Sequence, residues 1–409
     1  MDVRRTRQKD VPPRTGHVCV CFDKYMVVWG GYANISYHHY HHEMYLPPTD
    51  VWLYDTDIGY WISTKTSGQC PPGTSGASAC LFDHYMYLFA GHTEVGNVNT
   101  LHRLDLRTRE WELVEPASGS GLPSPRDKCT CWVHQNKLYF FGGFCMPIYK
   151  YLKENGEFHA DRSTAGHERG WNNQLLLFDL ETKMWNNPRC KGQIPSSRAA
   201  HAAAKIGNQV YMFGGRHIAE RLNDLHRLDL DTLTWTGPLV ATGSMPPGRS
   251  WHTFTQVSDR QIFLYGGFDQ KDNPLNDAWI LDIVDLTWTK LDHYQKCKAH
   301  LWHTACRTRD GEVVVFGGCT NNILSPEEPT NHTNEMLTFL LNPLSLLRLS
   351  LHTVYKYKSR TRADWEFLPQ SLSAWLKSKN EVMLLDEQEE EKEEVRDTGQ
   401  LVGSTCIVA

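Results

Sequence analysis

The apolar residues of this chain gather into short β-branched or aromatic runs, and one such run returns six times. Each copy ends in two small residues: VVWGGY at Gly30–Gly31, YLFAGH at Ala90–Gly91, YFFGGF at Gly142–Gly143, YMFGGR at Gly214–Gly215, FLYGGF at Gly266–Gly267 and VVFGGC at Gly317–Gly318. A second element follows the first five copies. It is an alternating strand, a short turn and a tryptophan, at Trp61, Trp111, Trp185, Trp235 and Trp288. A third element precedes the glycines and ends in histidine, at His17, His201, His252 and His303; the second and third repeats lack it. β-Branched and aromatic residues suit a pleated, half-buried surface. Glycine pairs mark positive φ or close backbone approach at a strand end. Each repeat therefore predicts a four-stranded blade with its tryptophan packed between blades. The sixth has NEMLTFLLNP in place of a tryptophan strand, so its closure should borrow another segment. The fold class that follows is all-β, a closed six-bladed β-propeller.

A period of about 50 residues is that of the kelch repeat, and these residues identify residues 14–342 as a six-bladed kelch β-propeller, with an N-terminal extension over 1–13. The RxxH segment starts one strand and the glycine pair ends the next, antiparallel one. Both therefore lie at the same end of the propeller, near its axis. Residues following the glycine pairs (Tyr32, His92, Phe144, Arg216, Phe268) should line one pocket with residues of the RxxH segments (Lys128, Ser250, Trp251, Trp302). Arg221 belongs to the same rim, and Trp171 reaches in from a long insert in the third repeat. The set is aromatic walls with a few cations. Two guanidiniums (Arg216 and Arg221) and a hydroxyl (Ser250) can hold a carboxylate through charge-assisted bonds, and capture of a peptide C-terminus is a recurring recognition mode. The competing reading for Arg221 is a surface salt bridge with Glu220 or Asp224. Arg249, like Arg14 and Arg198, is the repeated arginine of the blade and reads as structural.

Composition narrows the partners. With 42 basic and 47 acidic residues and a net charge of −5, the chain lacks the basic stripe of a nucleic-acid binder. No stretch approaches the ~18 apolar residues of a membrane span, and the N-terminus MDVRRTRQKDVPPR has no signal-peptide run. The 12 cysteines show no zinc spacing and read as reduced, mostly buried thiols, which places the chain in nucleus and cytoplasm. No nucleophile elbow, zinc-protease or phosphate-loop motif is present. No catalytic residue, metal or cofactor is assigned. The insert SYHHYHHEMY lacks the preorganised geometry of a metal site and reads as a polar loop.

After Pro343 the pattern turns helical, over residues 343–378. Leu346, Leu349 and Val354 can share one apolar stripe that caps the propeller. Beside that reading stands a resemblance. SLLRLSLHTV (Ser345–Val354) resembles an elongin-binding BC box, with Leu346 in place and Ser350 where the motif has cysteine. LPQSL resembles a cullin-2 box, through Leu368, Pro369 and Leu372. With the stretches NNQLLLFDLETKMW, RAAHAAAKIGN and GRSWHT, the arrangement resembles the kelch domain-containing protein 1/2 family. That resemblance implies a substrate receptor of a cullin-2 RING ubiquitin ligase, partnered by elongin B/C and cullin-2, that binds glycine-ended C-terminal degrons. It implies that Arg216, Arg221 and Ser250 hold the carboxylate and that Lys128, Trp171 and Trp251 line the pocket. Phe144 falls where the family has a tyrosine hydroxyl. The stretch 379–409 is acidic and apolar-poor and reads as a disordered tail. It ends Cys406-Ile407-Val408-Ala409, which matches a CaaX prenylation signal and makes Cys406 a candidate lipid anchor. Two alternatives stand against the receptor: a non-enzymatic kelch scaffold in cytoskeletal or trafficking complexes, and a copper-oxidase propeller, for which the histidine run is the one hint.

Overall fold

The computed structural model describes residues 3–6, 10–37, 40–147, 156–163, 169–292 and 298–384. The histidine run lies outside the described side chains, and Cys406 lies outside the described residues. Six antiparallel blades surround one axis. The first runs outward through Val18–Phe22, Tyr25–Trp29, Asp50–Asp55 and Tyr60–Lys65. The second to fifth repeat this order, with inner strands Ser78–Phe82, Thr130–His134, Ala202–Ile206 and Thr253–Gln256. The sixth has Thr304–Arg307, Val313–Phe316 and Met336–Phe339. Each inner strand neighbours those of the adjoining blades, and the last meets the first.

Three sets of contacts close the circle. At the axis, six backbone hydrogen bonds form an unbroken ring. Gly16 donates to Trp302, Gly76 to Gly16, Lys128 to Gly76, Ala200 to Lys128, Trp251 to Ala200 and Trp302 to Trp251, at 2.7–3.2 Å. All six residues are left-handed, with φ from 53° to 69°. One step out, the second glycine of a pair donates to the next blade: Gly31 to Thr74, Gly143 to Arg198, Gly215 to Arg249, Gly267 to His300 and Gly318 to Arg14. A side chain on Gly215 would sit 2.7 Å from the Cβ of His201, so no other residue fits. Further out, the aromatic residue before each glycine pair packs on the outer strand of the next blade. The pairs are Trp29–Trp111, Phe89–Trp185, Phe141–Trp235, Phe213–Trp288 and Phe316–Trp61, with centroids 4.6–5.4 Å apart. Burial of each such ring contributes roughly 2–3 kcal/mol.

The sixth blade departs from expectation. Among the described residues it keeps three strands and borrows none; Val3–Thr6, from the N-terminal extension, pairs instead on the outer edge of the first blade. Phe339 packs 4.8 Å from Tyr265, where a tryptophan sits in the other blades. The aromatic circle is thereby complete without the missing strand. The free-thiol reading is corrected at one pair: Cys21 and Cys306 are joined by a disulfide, because the inner strands of the first and last blades lie side by side. The repeated arginines are structural, as Arg249 was read. Arg198 and Arg249 are fully buried and form two-pronged pairs with Asp224 and Asp277 at 2.6–2.8 Å.

The C-terminal helices dock under blades one and six. Helix α1 (Leu346–Lys356) is capped by Ser345. The expected apolar stripe is split by this docking. Arg348 and Leu351 face inward, Val354 packs with Trp365, and Leu346 and Leu349 are 83% and 45% exposed. The last helix runs over residues 370–384, past the boundary expected at 378. Among the described residues no helix is long and apolar enough to cross a membrane.

Axial histidines repeat one further contact. His17, His201 and His303 each hydrogen-bond through Nε2 to a threonine of the preceding blade, Thr304, Thr130 and Thr253, at 2.8–3.0 Å. His252 meets Ala202 at that place, and its Nε2 is buried without a partner. A buried unpaired polar atom costs about 1–3 kcal/mol. Ala202→Thr should therefore raise stability by about 1 kcal/mol and the thermal midpoint by about 2 °C. Ala202→Val, which adds the branch without the hydroxyl, should not match it.

Candidate functional site

The sixfold geometry puts every residue that follows a glycine pair at one end of the axis. Thr15 bridges Tyr32 there, Ser75 bridges His92, Ala199 bridges Arg216 and Leu301 bridges Cys319. The third and fifth blades do the same through Asp127–Phe144 and Ser250–Phe268. The face inferred from strand direction is thus the face observed.

Its cationic wall comes from a two-stranded ribbon, Arg216–His217 against Glu220–Arg221. Arg216 and Arg221 are direct cross-strand partners. Side chains opposed in this way leave the ribbon on one face, and like charges so placed repel. Gln270 of the next blade clamps the ribbon, accepting from the Arg221 backbone N–H at 2.7 Å and donating to the Ala219 carbonyl at 2.9 Å. Arg221 Nε donates to Ser250 Oγ at 3.2 Å, and its guanidinium lies 4.5 Å from the Phe268 ring centroid. Burial lowers its pKa, and neighbouring Arg216 pushes in the same direction, opposed by Asp272. Arg216 Nε donates to the Ile218 carbonyl, and its guanidinium lies 5.8 Å from the Trp171 centroid. Ser250 accepts from Arg221, so its hydroxyl proton remains available to an anion.

The aromatic walls form two continuous tracks from these arginines. From Arg216 the track runs to Trp171 and on to Phe144, whose rings meet edge to face at 5.2 Å. Trp171 sits on the strand Gly170–Asn172, which pairs with Phe144–Cys145 in a small sheet above the third blade. From Arg221 it runs through Phe268 to Trp251, which stacks on Trp302 at 5.2 Å and 21°. Lys128 Nζ lies 5.1 Å from the Trp302 ring and pairs with buried Asp127. Lys128, Trp251 and Trp302 are all left-handed members of the axial ring. That conformation costs a bulky residue about 1–2 kcal/mol and aims these side chains at the pocket. An axial cavity of about 270 Å³ is lined by the inner strands and by Lys128, Trp251 and Trp302 of the ring, and the arginine ribbon does not line it.

The structure brings together Arg216, Arg221, Ser250, Lys128, Phe144, Trp171 and Trp251. Phe268 is fully buried and supports Arg221 from behind. The salt bridge weighed for Arg221 exists, with a partner the sequence did not suggest. It is Asp272, at 2.8 Å, whereas Asp224 is taken by Arg198. Asp272 lies in the DQKDN turn, far along the chain from the arginines, and its only signal was its place in a rim loop. Arg169, 5.3 Å from the Phe144 ring, was missed for the same reason. At the other end of the molecule, Leu346, Ser350 and Pro369 are exposed, and Leu368 and Leu372 are half-buried against the Leu351–Trp365–Leu376 cluster.

Chemically, the ribbon can take a carboxylate: two opposed guanidiniums, a hydroxyl donor and low-dielectric walls. The fold and site define a kelch-repeat β-propeller with a cationic, aromatic-walled pocket at one end of its axis. The KLHDC2/KLHL20/DRC7 Kelch-repeats domain matches residues 1–164, 164–318 and 238–356. Kelch domain-containing protein 2 of Bos taurus is 42% identical over 370 residues, covering 88% of each chain. Kelch domain-containing protein 1 of Homo sapiens is 37% identical over 364 residues, again covering 88% of each. A solved structure titled "Structure of YjhT" shares the fold, with a TM-score of 0.59 at 16% identity over 82% of this chain and 97% of that one. The chain belongs to the kelch domain-containing protein 1/2 family.

Asp272 competes with any anion for Arg221. It is 48% exposed, and an exposed ion pair contributes less than about 1 kcal/mol. Asp272→Asn should tighten a small carboxylate probe such as N-acetylglycine by about threefold, read from tryptophan fluorescence at low salt.

Proposed function

We propose that this chain is a non-catalytic substrate-recognition subunit of a cullin-2 RING ubiquitin ligase, acting in nucleus and cytoplasm. Its pocket takes the C-terminus of a target protein, with glycine-ended termini as the preferred class. The observation that carries the reading is the directly opposed pair Arg216 and Arg221, joined to Ser250. Two like charges held face to face against mutual repulsion are stabilised by an anion between them, and a chain terminus brings a carboxylate on a thin backbone that fits between aromatic walls. Lys128 offers a cation for a peptide carbonyl further up the ligand. Phe144 supplies a wall without a hydroxyl.

The ligase half of the reading rests on α1. Leu346 is 83% exposed on a helix whose opposite face is docked on the propeller. Leu346, Leu349 and Ser350 lie on this outward face, where elongin C would dock, and the turn before residues 370–384 carries Leu368 and Pro369 toward cullin-2.

Two measurements test the two halves separately. A glycine-ended peptide acid should bind wild type and lose affinity by about 100-fold on C-terminal amidation or in Arg221→Ala, the range expected for breaking a desolvated charge pair. Equal binding of acid and amide would favour a scaffold that reads side chains. Wild type should co-purify with elongin B/C from cells, and Leu346→Ala should lose the complex while keeping peptide binding. Failure of wild type to retain elongin would remove the ligase assignment.

A further inference from the structure

The first and sixth blades meet side by side at one seam, and no strand crosses it among the described residues. Many propellers could open at such a place, since a repeat array frays from its ends. Noncovalent contacts already hold it, among them the Gly16–Trp302 and Gly318–Arg14 backbone bonds, the His17–Thr304 and Thr15–His332 pairs, the Phe316–Trp61 ring contact, and Cys19 Sγ donating to the Ala305 carbonyl at 3.6 Å. To these the structure adds one covalent link. Cys21 and Cys306 come from the inner strands of the two end blades, 285 residues apart in sequence with Cα atoms 6.2 Å apart. That separation lies in the ordinary range for a disulfide. A cross-link at this spot closes almost the whole propeller into one covalent circle, the position at which a single bond removes the most freedom from the unfolded chain.

We propose that Cys21–Cys306 is a reversible redox lock on the propeller ring. The cysteine content argues for a reducing compartment, so the lock is open at rest and forms when small-molecule disulfide accumulates. The chemistry is two thiol–disulfide exchanges. The Cys21 thiolate attacks glutathione disulfide, giving a mixed disulfide and one glutathione thiolate. The Cys306 thiol loses its proton and attacks the Cys21 sulfur, forming the Cys21–Cys306 bond and expelling the second glutathione thiolate. The two protein thiols lose two electrons and two protons, and two molecules of reduced glutathione carry them away. Cys21 is the partly exposed partner through which the reagent gains access, while Cys306 is buried. Cys80 and Cys131 also approach each other across two blades, where that contact and burial raise the Cys131 pKa well above its ordinary value, and both remain free thiols.

The test uses the full-length chain incubated with glutathione disulfide or dithiothreitol, then mapped by non-reducing peptide mass spectrometry and melted thermally. The oxidised sample should contain a peptide pair linked through Cys21 and Cys306, and its midpoint should exceed that of the reduced sample by about 5 °C. The rise should vanish on adding dithiothreitol again. Cys21→Ser and Cys306→Ser should melt alike in both conditions, near the reduced wild type. A missing linked peptide, a linked peptide without the shift, or a shift that survives in both variants would overturn the proposal. The wild-type comparison and its reversal stand even where a variant folds poorly. None of these outcomes depends on peptide or elongin binding.

Discussion

Six left-handed residues, one per blade, hold hands around the axis through backbone hydrogen bonds, and the molecule is arranged around that ring. A strand arriving at the axis must turn sharply to leave its inner edge free for the next blade, and the left-handed conformation supplies that turn. Glycine adopts it readily at positions 16 and 76, and alanine at 200 with modest cost. At 128, 251 and 302 the chain places lysine and two tryptophans there, each carrying the Cβ strain of that conformation. These are the residues that face the pocket. Backbone strain held by an over-determined scaffold is a recurrent mark of binding sites. Here the scaffold consists of five interblade glycine bonds and six aromatic contacts.

The same constraint explains the arginine ribbon. Arg216 follows a glycine pair and Ser250 sits one residue before a ring member, so the ring fixes both from adjacent blades. Arg221 reaches Ser250 because the ribbon folds back over the gap between the blades and Gln270 holds it there. The clamp fixes the ribbon backbone, and the Arg216 charge lies near enough to lower the Arg221 pKa. The repulsion is therefore a standing property of the ligand-free site, partly offset by Asp272 at Arg221 and by the Trp171 face at Arg216. A carboxylate bound there would exchange a weak, solvated counter-ion for one enclosed by aromatic rings, where the same charge interacts more strongly.

Much of this was legible in the sequence because the repeat is periodic and each element has a mechanical reason. Glycine pairs, outer tryptophans and RxxH segments fix blade number, strand direction and the pocket face together, and direction alone places Arg216, Ser250 and Trp251. What could not be read depends on contacts with no period. Asp272 finds Arg221 across two rim loops. Cys21 finds Cys306 only because the circle closes. Phe339 replaces a tryptophan whose absence suggested a missing strand, since an aromatic ring at the right depth satisfies the neighbouring blade whatever the strand count. On α1, periodicity marked Leu346, Leu349 and Val354 as one stripe, and docking divides them between the outward and inward faces. Burial of Arg348 against the propeller turned Leu346 outward, and no hydropathy pattern anticipates a buried arginine.

Arg348 also ties the two ends of the molecule together. Its guanidinium donates to the Thr56 carbonyl of the first blade at 3.2 Å and lies 3.6 Å from Asp310 of the sixth, with Trp375 beneath it at 5.4 Å. Lys379 adds a bond to the Ile58 carbonyl at 3.1 Å, with its own pKa lowered by burial and by Arg348. The helices thus span the seam on the underside. On the opposite face Tyr32 of the first blade meets Trp302 of the sixth at 5.9 Å, spanning the same seam beside the pocket. A loosened seam would disturb both faces at once, since each depends on the relative position of those two blades. A closed seam makes the propeller a rigid spacer, holding the outward face of α1 at a fixed distance and angle from the arginine pair. On the proposed reading, in which a captured chain is presented to a partner at the other end, that fixed geometry is the mechanical requirement, and a closed ring meets it better than an open stack of blades.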